Sequence, residues 1–464
     1  VFCVSSGLGL FPLTFDWAQV ASLSNPLQTP VWSLCVVFGS FVFWIWIVLP
    51  GLYYTNKWKV AHLPIMSNSI YDKHRKVYLA AKVVTKDWKL DTKKFEKYSP
   101  VYLPIGFLMS VALGLGATAA MVIDFFFKIP EIVSDIRQRK LKVTWHTFVG
   151  LFCVAAGLGL GFGFFEGCKL VGLRAGGYII SVLIGVFLFI PVAFVESKYN
   201  FTLSMASIFD LISAFWFNGQ PLTLLYFYMT GFSIIQHAMH ISQSSKIGVY
   251  MKLSRREIMI VMFVASVWGS VVSPAVLGYV VQHIGDVCKT DAKNNMTCRK
   301  VRNQYNTHLV WGLFGKHLFA AGGRYSWVLY FFIAGAVVAL FINLMRKWRP
   351  SNLWEKLSPA LIFGGAQSIP SVTGYNYLTW AAVGLFFNFY IHKRYRDWWR
   401  NYSLLLGISI DCGLAIAAII IYFAVVYTGG SDLFKWWGTE VALKGCDHKG
   451  CSYINSNITV SSYW

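Results

Sequence analysis

The sequence predicts an all-α membrane protein, a polytopic bundle of transmembrane helices in which some helices are broken or re-entrant. Of its 464 residues, 56% are hydrophobic and only 13% are charged. Soluble proteins are about half apolar and about a quarter charged. Apolar runs of about 17 to 25 residues, the length of a membrane-crossing helix, recur along the chain. A transmembrane β-barrel would instead show short alternating strands, and these runs do not alternate.

The apolar runs divide the chain into predicted spans and hydrophilic segments. The strong runs cover about 31–51, 103–124, 146–165, 177–195, 221–241, 258–282, 326–345, 376–391 and 404–428. Weaker runs cover 1–15, 203–218 and 357–370. We expect about ten to twelve crossings in one transmembrane unit, residues 1–464, with an extramembrane lobe at 52–100, a loop at 283–309 and a tail at 429–464.

The net charge of +21 is of the size found in nucleic-acid-binding proteins. Here, however, the basic residues fall in the loops between apolar runs, where they face water and lipid headgroups. The expected partner of these residues is therefore the lipid bilayer and not nucleic acid.

Two cysteine pairs predict which segments face an oxidising compartment. Cys288 and Cys298 lie in one polar segment, and Cys446 and Cys451 lie in another. Each pair is close enough in sequence to close a small disulfide loop, which favours a non-cytoplasmic side. Glycosylation sequons lie beside the two pairs, at Asn295 and Asn457. A zinc site is the alternative for the second pair, because His448 lies between its cysteines, but no fourth ligand is evident.

Counting crossings from these two segments orients the remaining loops. The loops 242–257, 346–356 and 392–403 fall inside, each with four Lys or Arg residues, in agreement with the positive-inside rule. The C-terminus is then extracellular. The lobe at 52–100 also counts as outside, although it carries eleven basic residues. Either the lobe is long enough to be exempt from the positive-inside rule, or the count misses one crossing.

Residues 368–377, SIPSVTGYNY, place polar residues and a proline between two apolar runs. Non-helical backbone at membrane depth is tolerated only where protein covers it or where it lines an aqueous cavity. The pattern therefore predicts a broken helix, typical of the substrate sites of transporters. A plain extracellular turn is the alternative.

A second short apolar segment, 308–327, contains several glycines together with Lys316, His317 and Arg324. Such a segment can dip into the membrane and present cations to a carboxylate. An interfacial helix whose cations contact headgroups is the alternative.

Carboxylates inside apolar runs are few. Asp210 and Asp411 lie within predicted spans, and Asp124 and Glu166 lie near span ends. Intramembrane carboxylates are costly unless they are paired or hydrated, so they are candidates for proton or cation coupling, with helix capping or packing as the alternative.

His237 and His240 share one helix face at the spacing of a paired metal site. No third ligand is evident, and ordinary hydrogen bonding explains them as well. We therefore predict no metal and no other cofactor.

Several motifs together resemble the oligopeptide transporter family. They are GLGLFPLTFDW at 7–17, WGLFG at 311–315, IPSVTGYNYLTWAAVGLFFNF at 369–389 and RYRDWWRNYSLLLGISIDCGLAI at 394–416. The resemblance implies a C-terminal portion of a plasma-membrane secondary transporter that imports short peptides, glutathione-like thiols or metal chelates with protons. It also gives Asp210, the pair Asn376 and Tyr377, and Asp411 the positions of family motifs.

The sequence thus predicts a proton-coupled symporter, not an enzyme, that imports small oligopeptides or peptide-like thiol conjugates. The proton-coupling candidates are Asp210, Asp411 and Glu166. The substrate-binding candidates are Tyr375, Asn376, Tyr377, Lys316 and Arg324. One alternative is a metal-chelate transporter of the same family, with His237 and His240 contributing. Others are a channel and a membrane-embedded transferase, but no convergent set of catalytic residues is visible.

Overall fold

The computed structural model describes residues 7–10, 13–79, 82–85, 89–138, 157–167, 172–285, 287–288, 298–430, 440 and 452–454. Within these ranges the chain is helical and forms isolated β-bridges without a strand. Six of the described helices are long and apolar enough to cross a membrane. The all-α membrane fold predicted from composition is therefore confirmed.

The helices are numbered in chain order. They are α1 Trp17–Val20, α2 Val31–Phe41, α3 Leu49–Tyr54, α4 Thr92–Tyr98, α5 Ile105–Gln138, α6 157–167, α7 Ala175–Tyr199, α8 Ala206–Trp216, α9 Pro221–Tyr250, α10 Arg255–His283, α11 Arg299–Phe319, α12 Tyr330–Trp348, α13 Asn352–Lys356, α14 Pro359–Gly364, α15 Gly374–Leu385, α16 His392–Arg394 and α17 Arg396–Ile421. The π-helical segments Val42–Val48, Phe386–Ile391 and Tyr422–Val426 continue α2, α15 and α17.

Helix α5 is the centre of the bundle and the most buried of the six candidate spans. It packs against α12 and α14, and less extensively against α7 and α8. At the crossing with α12, Gly116 and Gly335 bring the two backbones together, because a Cβ built on Gly335 would overlap the Gly116 carbonyl. Small residues at such crossings allow the close van der Waals packing that holds helices together in lipid.

The described residues of the hydrophilic segment 55–103 form a lobe over one end of the bundle. Tyr78 is buried and donates its hydroxyl hydrogen to the Ser99 carbonyl at 3.2 Å, and burial raises the pKa of its phenol. The rings of Tyr78 and Phe95 contact Phe314 of α11, with centroids 5.7 and 4.8 Å away. The aromatic residues of this segment therefore join the hydrophobic core of the bundle.

The described tail residues, 452–454, pack against the same lobe. The Ile454 N–H donates to the Ala61 carbonyl at 3.1 Å, and the Arg75 guanidinium donates to the Ile454 carbonyl at 3.1 Å. The Tyr453 N–H donates to the Tyr53 hydroxyl at the end of α3. The lobe and the tail thus share one face of the bundle, which agrees with a crossing count that puts both on one side. That this face is extracellular stays a prediction.

Two expected segment boundaries are wrong. The segment 283–309 was expected to be a loop, but α11 begins at Arg299. Helix α5 runs to Gln138, with Pro130 inside it, although its apolar run ends at 124. Hydropathy misses both boundaries because these helix ends are polar in sequence. Of the weak run 1–15, the described residues are not helical.

The glycine crossing of α5 and α12 generates a stability prediction. Gly335→Leu should destabilise the bundle by about 1–3 kcal/mol, the usual cost of overpacking a tight contact. Thermal unfolding in a fixed detergent measures the effect. Gly413→Leu in α17 is the matched control, because a Cβ there meets nothing within 4 Å. Equal melting temperatures for the two variants would contradict the crossing.

Candidate functional site

The broken helix predicted at SIPSVTGYNY consists of α14, the non-helical residues 365–373, and α15. One side chain of α15 itself and one of the neighbouring helix α5 bind its carbonyl groups. The Tyr377 hydroxyl donates to the Gly365 carbonyl at 2.8 Å, and the Ser110 hydroxyl donates to the Gln367 carbonyl at 2.6 Å. Protein thus covers this backbone, as membrane depth requires.

The N-terminus of α15 has its own cap. The Thr373 N–H and hydroxyl group donate to the Asn376 side-chain oxygen at 3.0 and 3.2 Å, forming a capping box. Gly374 allows residues 8 and 9 to approach, because a Cβ there would overlap their carbonyl oxygens. The extended N-terminal stretch therefore lies directly against the start of α15.

Residues 14–29, which we call the strap, bind the start of α15 through one glutamine. The Asn376 amide donates to the Gln19 carbonyl at 2.9 Å and to its Oε1 at 2.8 Å. The Tyr375 hydroxyl donates to the same Oε1 at 3.0 Å. Two of the predicted substrate-binding residues thus share one partner that the sequence analysis did not identify.

The strap also binds Asp411 of α17. The Trp17 indole donates to Asp411 Oδ1 at 2.6 Å, and the Asn25 amide donates to Asp411 Oδ2 at 2.8 Å. Both carboxylate oxygens therefore have strap partners. The strap brings together, through hydrogen bonds, a predicted coupling residue and two predicted substrate-binding residues from separate motifs.

Tyr377 has a different environment from its neighbours. Its side chain is fully buried, and its ring stacks on Phe41 of α2 with centroids 4.2 Å apart. With its hydroxyl bound to Gly365, Tyr377 closes the non-helical segment from the inside. In this conformation Tyr377 positions that segment, and its contact with substrate stays a prediction.

Asp210 forms a second centre, away from the strap. Its Oδ1 lies 2.9 Å from Nδ1 of His308, and both side chains are buried. The Tyr228 ring packs on the His308 imidazole, with centroids 4.0 Å apart. Helices α8, α9 and α11 each contribute one member of this group. His308 is the first residue of the segment 308–327, and a histidine in an apolar run was the signal that could have identified it.

A small cavity adjoins this pair. It has a volume of about 10 Å³ and is lined by Leu225, Tyr305 and His308 among others. That volume is close to the minimum that holds one water molecule. The cavity therefore gives the imidazole room for one small polar partner.

The remaining candidates lie elsewhere. Lys316 and His317 are exposed near the end of α11, and the Arg324 guanidinium lies over the Tyr102 ring of the lobe at 4.7 Å. Glu166 is exposed and accepts from the Ala175 N–H at 3.3 Å, at the N-terminus of α7. The structure does not bring these residues to Asp210 or to the strap.

Asp124 of α5 is buried among basic residues, towards the end of the bundle that lies opposite the lobe. It accepts from Arg346 and Asn343 of α12, and Lys128 lies 3.4 Å from its second oxygen. Arg346 also donates to the carbonyls of Trp354 and Leu357 at 2.9 and 2.6 Å. This cluster fastens the segment that leads into α14.

Glu196 is a buried carboxylate that the sequence analysis missed. It accepts from the Thr202 hydroxyl at 2.9 Å and from the Gln243 amide. Both partners are neutral. The hydrogen bond between Glu196 and Gln243 links the end of α7 to α9.

His237 and His240 are exposed on α9, and the described part of the chain contains no group of three residues suited to a metal ion. Cys288 and Cys298 are bonded to each other. Cys446, Cys451, Asn295 and Asn457 lie outside the described residues.

The strap contact generates a prediction about local stability. Gln19→Ala removes the Oε1 acceptor that the Asn376 amide and the Tyr375 hydroxyl share, whereas the amide keeps the backbone carbonyl of residue 19. Each lost hydrogen bond should cost about 0.5–1.5 kcal/mol. Amide hydrogen exchange across 365–385 should therefore accelerate. Gln28→Ala, an exposed glutamine of the same strap, is the control. Unchanged exchange in Gln19→Ala would show that the strap does not hold α15.

Comparison with known proteins places the chain in a family. A model of the OPT oligopeptide transporter protein matches residues 1–425. A Schizosaccharomyces pombe protein named as an uncharacterized oligopeptide transporter is 50% identical, over 100% of this chain and 60% of its own length. Glutathione transporter 1 of the same yeast is 34% identical, over 98% of this chain and 54% of its own length. Oligopeptide transporter 1 of Saccharomyces cerevisiae is 29% identical, over 95% of this chain and 57% of its own length.

The chain thus spans 54% to 60% of the length of these three relatives. Their names support the expectation that the chain is not an enzyme. The family match extends over nearly the whole chain and confirms the resemblance seen in the motifs. The chain belongs to the OPT oligopeptide transporter family.

Proposed function

We propose that the protein containing this chain is a proton-coupled importer of small oligopeptides or peptide-like thiol conjugates at the plasma membrane. The observation that carries the proton coupling is the buried contact between Asp210 and His308, 2.9 Å apart. The substrate class follows the relatives, which are named for oligopeptides and for glutathione. Relatives of both kinds cover nearly the whole of this chain.

An aspartate and a histidine in contact suit a proton that must bind and leave. With one proton between them they form an ion pair or a neutral pair, and either is tolerated in a low-dielectric interior. A second proton neutralises the carboxylate and leaves the imidazolium without its counter-charge. The doubly protonated pair is therefore driven to separate or to gain water, which changes how α8 and α11 contact each other.

The broken helix supplies the matching substrate surface. The free N–H groups and the dipole at the start of a helix favour anionic groups, and small peptides carry a carboxylate. Tyr375 and Asn376 lie at this helix start. Their polar groups are bound by Gln19 in the present conformation, so substrate contact requires the strap to move.

Asp411 connects this movement to protonation. As a carboxylate it accepts hydrogen bonds from Trp17 and Asn25, one at each oxygen. A protonated carboxyl group carries a hydrogen on one oxygen, and the hydrogen bond to that oxygen weakens. Proton binding at Asp411 would loosen the strap on both sides of Gln19, at Trp17 and at Asn25. Asp411 is our second coupling residue after Asp210.

The function is tested with the complete polypeptide in cells that lack their own peptide uptake. Accumulation of a labelled tetrapeptide and of labelled glutathione is measured at pH 5.5 and 7.5, with and without a protonophore. Uphill, acid-stimulated uptake that the protonophore abolishes is the expected result. Uptake that the protonophore does not reduce would exclude proton coupling. Uptake of a metal chelate alone would reject the peptide substrates.

Removal of the Asp210 charge tests the coupling residue. Asp210→Asn should lower accumulation at least tenfold while leaving the amount of protein at the membrane unchanged, because asparagine fills the same space and cannot exchange a proton. Asp397→Asn, an exposed carboxylate at the start of α17, is the matched control. Undiminished accumulation by Asp210→Asn would exclude Asp210 from coupling.

A double-variant cycle tests the pair itself. If Asp210 and His308 act as one unit, Asp210→Asn combined with His308→Gln should accumulate no less peptide than the worse single variant, because coupled residues are not additive. The same uptake assay supplies the measurement. Multiplicative losses would mean that the two residues act separately.

A further inference from the structure

A groove opens on the lipid-facing side of α2, where that helix passes α14. Its volume is about 330 Å³. On one side it is lined by Cys35, Gly39, Phe43 and Trp44, and on the other by Leu357 and Ile362. Phe43 is 50% exposed and belongs to a candidate membrane span. The groove is therefore apolar and opens to the acyl-chain region of the bilayer.

Hydrogen bonds hold the two walls of the groove together. The Ser40 hydroxyl and the Trp44 indole both donate to the Ile362 carbonyl, at 2.7 and 2.8 Å. The groove is thus preformed and does not depend on an occupant. Preformed apolar clefts with a few fixed polar contacts are typical of ligand sites.

The direction of α2 places one end of the groove at a membrane surface. The span Val31–Tyr54 ends at the lobe, because Tyr53 donates to the Leu63 carbonyl of the lobe at 2.9 Å. Val31 therefore lies at the opposite surface. From Cys35 to Phe43 the helix rises about 12 Å at 1.5 Å per residue, so the groove extends from near that surface into the apolar region.

A cation lies at the end of the groove that is near the membrane surface. The Lys356 ammonium lies 5.8 Å from the centre of the Trp32 ring, and both residues are exposed. Tryptophan is the residue that marks the headgroup level of membranes. Glu355 adds one negative charge to α13, but the exposed residues Lys347 and Arg349 on the same surface leave an excess of positive charge.

We propose that this groove binds one acyl chain of an anionic phospholipid, whose phosphate pairs with Lys356. An acyl chain fits the apolar walls and the depth of the groove, and an anionic headgroup fits the lysine at its mouth. Neighbouring basic residues strengthen attraction to anionic lipid by about 1 kcal/mol each. The site does not depend on what the protein transports.

Occupancy would act on the broken helix. Ile362 belongs to α14, the first arm of that helix, and Leu357 belongs to the segment that Arg346 fastens. An acyl chain bound between α2 and α14 contacts the wall of the groove that Leu357 and Ile362 form, and this wall includes the first arm of the broken helix. Bound lipid should therefore stabilise this arm against thermal unfolding.

Gly39 allows the groove to be filled without disturbing the fold. A Cβ built there meets nothing within 4 Å, so the side chain of Gly39→Phe has space to extend into the groove. Gly51 is exposed on α3, outside the groove, and a Cβ there also meets nothing within 4 Å. Gly51→Phe is therefore the matched control, and Lys356→Gln removes the charge alone.

The experiment titrates the purified, delipidated complete protein with phosphatidylserine and with phosphatidylcholine of identical acyl chains. Native mass spectrometry counts the bound lipids, and thermal unfolding reports stabilisation. The wild type should bind one phosphatidylserine about fivefold more tightly than phosphatidylcholine, the ratio that about 1 kcal/mol provides. Gly39→Phe should lose that lipid and its stabilisation, and Gly51→Phe should keep both.

Lys356→Gln should lose most of the preference for phosphatidylserine, because only the neighbouring basic residues then attract it. A Gly39→Phe protein that binds phosphatidylserine as the control does would overturn the groove as the site. A wild type without preference, or a Lys356→Gln protein that retains the preference, would overturn the assignment of the headgroup. Because the charge variant leaves the groove intact, the proposal is tested even if Gly39→Phe does not fold.

Discussion

Backbone without helical hydrogen bonds, buried in a membrane protein, is the constraint on which the rest of this structure depends. Residues 365–373 carry such backbone, and each carbonyl that α14 or α15 does not satisfy needs a donor from elsewhere. Tyr377 and Ser110 supply donors to the segment itself, and Ser40 supplies one to Ile362 at the adjoining helix. Polar side chains in otherwise apolar helices are thus explained by their position around this one interruption.

The carboxylates of the membrane-spanning helices differ in what faces them, and the difference suggests different roles. Asp124 faces two basic residues, Arg346 and Lys128, and serves as a structural anchor. Glu196 and Asp411 accept hydrogen bonds from neutral donors only. Of these four residues, Asp210 alone pairs with a histidine, His308, the residue type most often used for proton exchange in proteins. The same residue type therefore supports both anchoring and coupling.

Composition and apolar runs predicted the fold class, and the broken helix followed from Pro370 and its polar neighbours. Single residues within spans also pointed to Asp210 and Asp411, because a carboxylate in an apolar run is visible locally. Gln19 could not be found in this way. It lies in a short polar stretch of ordinary composition, and only the folded chain shows what it binds.

The glycine crossing of α5 and α12 could not be predicted either, because only the folded chain shows which glycines contact each other. Gly116 and Gly335 are two of 39 glycines, and nothing in sequence distinguishes a glycine at a helix contact from one facing lipid. The start of α11 was missed because its first turns are basic and polar, and hydropathy assigned them to a loop. Local patterns thus predict elements, whereas partners far apart in sequence require the structure.

The strap has a consequence for how the chain is made. Gln19 leaves the ribosome long before Asn376, because 357 residues separate them. At about 5–20 residues per second, the strap waits roughly 20–70 s for its partners. During that interval its polar groups need water or a chaperone, and α2 enters the membrane without the helix it will later support. The final assembly of the strap is therefore a post-insertion event, completed only after Asn376 and Asp411 have been synthesised.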